Sequence, residues 1–194
     1  MASAYLEAIG SNWPIWVVTI TLIVAAVIDG FELKVPNWIT FPMIISGWIY
    51  SAAFAQAHFG ISWYEGLGWS FAGTAVGLLT LLPLYSIGGM GAGDVKLMAG
   101  IGAWVHVTHT LWAFAWTGVI GAILAVLMVW YSKAWSKHKG QFWMILNEIA
   151  TVKDPEKLAE IAAERKPRMM LLPYGIPIAM GTIGYFWLSN MLIG

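Results

Sequence analysis

The chain has 194 residues, of which 59% are hydrophobic and only 10% charged, and its mean hydropathy is +0.72. Soluble domains carry roughly 25% charged residues, so this deficit argues against a water-soluble domain and for a membrane protein. The absence of cysteine excludes disulfides, thiolate zinc sites and cysteine nucleophiles together.

The formal net charge is zero, which argues neither way about nucleic acid, and none is expected as a partner. Thirteen Trp and seven Tyr suit a protein with two water–lipid boundaries, where such rings collect. The N-terminus has no Lys or Arg and no small-residue cleavage site, so no signal peptide is expected.

In chain order, apolar runs predict transmembrane spans at about 13–29, 38–57, 66–85, 93–106, 110–132 and 170–193. A crossing needs ~20 residues. One helix through 95–132 would be nearly twice that long, so a break is expected at HVTHT (106–110). The predicted fold class is an all-α membrane protein with six transmembrane helices in a single domain, without internal repeats.

All ten basic residues fall in three inter-span segments: Lys34, Lys96 and eight within 133–168. In a six-span chain these segments share one side. The positive-inside rule makes that side cytoplasmic and puts both termini outside. The cytoplasmic loop 133–169 is expected to be helical. Phe142, Ile145, Leu146, Ile149 and Val152 recur at helical spacing, as in a surface-lying helix. A second short helix is predicted between an Asp154 cap with Pro155 and a closing Pro167.

Length bookkeeping puts two carboxylates at similar depth. The first apolar run, Trp13 to Ile28, reaches ~20 residues only by drawing in Asp29. The fourth, apolar from Val95, must begin near Gly91–Asp94. Ionisable groups at such depth are expensive and point to function. The structural alternative is that Asp94 caps a helix and that Asp29 is solvated beside Lys34. Gly89 and Gly93, like Gly73 and Gly77, have the spacing of a small-residue helix contact. Two carboxylates in one low-dielectric site can share a proton, because both cannot readily ionise. The ionised partner can then take a proton from water while the protonated one polarises a peptide carbonyl. That chemistry needs neither metal nor cofactor, and none is expected.

GMGAGDVKLMAGIGAW (89–104) resembles the G-x-G-D signature of the type IV prepilin peptidases, with Gly91, Gly93 and Asp94 in its positions. DGFELKVPNWIT (29–40) resembles that family's first-aspartate motif, and LPYGIPIAMG (172–181) the broken start of its last helix. The resemblance implies an aspartic endopeptidase of the cytoplasmic (inner) membrane. It would remove short basic leaders from pilin-like precursors at the cytoplasmic face, with Asp29 and Asp94 as the catalytic pair. Its partners would be those precursors, each a leader followed by an apolar segment, and the bilayer. Longer members carry a Cys-containing segment and also methylate the new N-terminus; nothing here matches that segment. The short form resembles peptidases of Tad/Flp-type pilus systems or archaeal ones.

Other residues carry weaker expectations. Pro36 and Asn37 are expected to end span one and cap span two, or else to position substrate. Lys96 is a positive-inside anchor or a substrate contact. Glu32 is an acid placed to meet a basic leader. Pro173, Gly175 and Pro177 break span six, either as a kink or as a backbone edge for substrate. His106 and His109 lie three apart with no third metal ligand in view. A presenilin-like intramembrane protease shares the G-x-G-D signature, and a small proton-coupled transporter could also use two aspartates. Transporter sites tend to lie at the midplane between repeats, unlike these edge carboxylates.

Overall fold

The computed structural model describes residues 12–86, 89–131, 151 and 172–192. Among them every regular element is helical: α1 (Trp13–Glu32), α2 (Asn37–Ala53), a π-helical turn (Ala55–Phe59), α3 (Trp63–Ser86), α4 (Ala92–Tyr131) and α5 (Gly175–Leu188). The helices expected at 142–152 and 154–167 lie outside the described residues, Thr151 excepted.

Trp13–Glu32, Trp63–Ser86 and Ala92–Met128 are each long and apolar enough to cross a membrane. α2 has 17 residues and α5 has 14. The outer faces fit a lipid surround, since Ile20, Ile23, Val27, Leu79, Val119 and Val126 are each half or more exposed. In water such a continuous apolar surface would be an aggregation site.

α4 is the central element, packed against α1, α2, α3 and α5. Its Leu97, Met98, Ala99, Ile101 and Ala103 have no exposed surface. Small residues let α3 come to backbone contact with it. A Cβ on Gly73 would lie 2.1 Å from the Gly102 carbonyl oxygen, and one on Gly77 would lie 2.4 Å from that of Met98. Van der Waals packing of this kind replaces the hydrophobic effect as the force between helices in lipid.

The break expected over 106–110 is confined to His106, whose φ of 60° and ψ of −171° interrupt α4. The helix resumes at Val107, earlier than the expected 110. The polar residues after His106 do not stop it, because Thr110 Oγ1 bonds back to the His106 carbonyl. That backbone region costs a non-glycine residue about 1–3 kcal/mol and persists only when its surroundings hold it. Here Ser51 Oγ lies 3.2 Å from His106 Nε2, and the Phe59 ring lies 4.7 Å from the imidazole.

The loop between α1 and α2 departs from expectation in two details, since Leu33 and not Pro36 ends α1 and Asn37 does not cap α2. Leu33, in the left-handed region (φ 54°), ends α1 with its N–H on the Asp29 carbonyl. Pro36, extended at φ −75° and ψ 150°, occupies the cap position of α2, and Asn37 is the first helical residue. Asn37 is therefore not the cap. Its side chain is engaged elsewhere, as described below.

Candidate active site

Asp29 sits in the last turn of α1 and Asp94 in the first turn of α4, at 2% and 5% exposure respectively. Among the described residues they are the two buried carboxylates. Both line one pocket of about 150 Å³, completed by Leu33, Gly89, Met90, Gly91, Leu172, Pro173 and Tyr174. Among the described residues no Lys, Arg or His lines it.

Backbone amides hold each acid. The Gly175 N–H donates to Asp29 Oδ2 at 2.7 Å, and the Gly91 N–H donates to Asp94 Oδ2 at 3.0 Å. The second bond runs from the residue before α4 to its third residue, the reciprocal half of a capping box. The structural alternative for Asp94 is thus partly realised, since it caps α4 and lines the pocket at once. At Gly175 the amide that the substrate-edge alternative would leave open donates to Asp29. Pro177 has no N–H to offer, while the Ile176 and Ile178 amides bond to the Pro173 and Tyr174 carbonyls.

The glycines of the signature have distinct tasks. A Cβ on Gly93 would lie 2.3 Å from the Val35 carbonyl oxygen, so this residue seats the α1–α2 loop against the start of α4. A Cβ on Gly91 would come within 3.2 Å of Asp94 Oδ2. The same seam is tied a second time. Lys96 Nζ donates to Asn37 Oδ1 at 2.9 Å and lies 4.7 Å from the centre of the Phe41 ring. Lys96 and Asn37 join the segments that carry the two acids and do not line the pocket. Pro36 is half-buried outside it, and Glu32 is exposed at the end of α1.

Sequence reasoning missed Leu33, Met90, Leu172 and Tyr174 as pocket walls. Leu172 and Tyr174 lie within the quoted LPYGIPIAMG stretch, but no residue type there signals chemistry. His106 and His109 turn to separate partners, Ser51 and the Tyr185 hydroxyl. Among the described residues no group of three or more His, Cys, Asp or Glu is arranged to hold a metal.

A family model described as the type IV leader peptidase family matches residues 16–126, which include both aspartates and the loop and helices between them. The chain belongs to that family. It is therefore a membrane peptidase of the prepilin leader type. No curated protein and no solved structure matches it.

Proposed function

We propose that this peptidase is an aspartic endopeptidase that cuts basic leaders from pilin-like precursors, using Asp29 and Asp94 as one acid–base pair. The observation that carries this reading is that, among the described residues, both buried carboxylates line one pocket. With one proton between them, the ionised carboxylate takes a proton from water as its oxygen bonds to the scissile carbonyl carbon. The protonated carboxyl hydrogen-bonds the carbonyl oxygen as it gains charge. Collapse breaks the C–N bond, and a carboxyl proton passes to the departing amine. The amides of Gly175 and Gly91 each hold one carboxylate oxygen, fixing the orientation on which this exchange depends. The test is conversion of a pilin-like precursor by membranes carrying the chain. A product shortened by the leader supports the reading, and an unprocessed precursor overturns it.

The location follows from charge placement. The break at His106 supports a reading in which α4 crosses twice, for six crossings with the short helices included. In that count every Lys and Arg falls in a segment on one side of the membrane, which the positive-inside rule makes cytoplasmic. Tags inserted within 134–168 are expected to report the cytoplasm, and tags at either terminus the outside. A cytoplasmic N-terminus would put Asp29 on the wrong side for a cytoplasmic leader.

Exposed Glu32 lies one turn beyond Asp29, where a basic leader would pass. Glu32→Lys is expected to raise KM for a basic-leader precursor about 2- to 5-fold at low salt, with kcat little changed. The effect should shrink as salt screens it. Equal KM values at all ionic strengths would remove Glu32 from leader recognition.

A further inference from the structure

The pocket around the aspartates, at about 150 Å³, has room for little more than the residues at the scissile bond. The specificity of a peptidase with so small a site must come from contacts with remote parts of the substrate. Two apolar grooves flank the start of α5. One, of about 1060 Å³, runs between the second arm of α4 and α5, with Leu124, Leu127 and Trp130 on one wall and Leu172, Pro173 and Ile176 on the other. The second, of about 660 Å³, runs between α1 and α5 past Val27 and Met180. The first shares Leu172 and Pro173 with the aspartate pocket, whereas the second shares none of its walls.

We infer that the α4–α5 groove is the docking site for the apolar segment that follows the cleaved bond in the precursor, seated as a helix. This rests on the proteolytic reading above and deepens it. An apolar segment joined to the scissile bond stays in the bilayer, so it must reach the acids sideways, through an opening that faces lipid and continues into their pocket. The α4–α5 groove faces lipid, with Leu127 and Trp130 47% and 74% exposed, and it adjoins the aspartate pocket at Leu172 and Pro173. It is also the larger of the two grooves. Pro173 forms the shared corner, and chain lying along the groove passes it to enter the pocket beside Asp29.

The test uses the full chain in membranes with an intact precursor and with a peptide truncated soon after the scissile bond. A photoreactive residue at position 127, in an Asp94→Asn background that holds substrate uncut, is expected to crosslink to the apolar segment of the precursor. An excess of intact precursor should compete for that crosslink, and the truncated peptide should not. In the active chain, Leu124→Trp should raise KM for the intact precursor about tenfold with kcat within about twofold, as loss of fit in an apolar pocket does. That would bring its kcat/KM towards that of the truncated peptide. Crosslinks to lipid alone, or to residues 132–171 of the same chain alone, would overturn the assignment, as would an unchanged KM for Leu124→Trp. A wild-type chain that converts neither substrate would overturn the proteolytic reading itself. A wild type that converts both equally well would overturn only the groove.

Discussion

Gly175→Ala is expected to lower precursor cleavage at least about a hundredfold while the protein still inserts and accumulates. The added Cβ would lie 2.9 Å from both the Cβ and the Oδ2 of Asp29. Asp29 is 2% exposed, and the amide of Gly175 holds its Oδ2. The clash therefore either turns its carboxylate or pushes the start of α5 away, and each outcome strains the 2.7 Å bond from the Gly175 amide. Misplacing a reacting group by about 1 Å costs about 10²-fold. Gly118→Ala is the control, because nothing lies within 4 Å of a Cβ added there. Matched amounts of the two variants, assayed on one precursor, check the expectation. Wild-type rates for Gly175→Ala would mean that the Asp29 carboxylate does not need its present orientation.

Larger losses are expected at the acids themselves. Asp29→Asn and Asp94→Asn keep an oxygen able to accept the Gly175 and Gly91 amides, so neither variant need lose its local bond. Each removes a group that takes or gives the shared proton, worth up to ~10⁴-fold in general acid–base catalysis. Asp94→Ala differs in also losing a cap on α4, worth about 1 kcal/mol of stability. Comparing Asn with Ala at position 94 thus separates the two tasks of this residue. Loss of cleavage with both, and loss of thermal stability with Ala alone, is the expected pattern.

Much of this site is legible in the sequence, for physical reasons. A carboxylate near the end of an apolar run too short to cross without it is costly wherever it lies, so Asp29 and Asp94 announce themselves. Gly73 and Gly77 likewise announce a close helix contact by their spacing. What the sequence does not carry is the pairing between segments. The amide of Gly175 meets Asp29 only because α1 and α5 pack together at that depth. The Lys96–Asn37 bond likewise depends on Gly93 admitting the Val35 carbonyl. Asn37 matches a cap residue by type, yet Pro36 takes the cap position and frees the Asn side chain for Lys96. His106 shows the same limit. Its segment contains neither Gly nor Pro, and the break is held by Ser51 and Phe59 from elsewhere in the chain.

The pairing of the two acids is tested most directly by cleavage kinetics of Asp29→Asn, Asp94→Asn and the double variant at matched membrane levels, with one pilin-like precursor. If they act as a unit, each single variant loses about a thousandfold or more, and the double variant is worse by less than about tenfold. The wild-type pH–rate profile should be bell-shaped, with apparent values that belong to the pair. If either single variant still processes the precursor at close to the wild-type rate, the two carboxylates are not one catalytic pair.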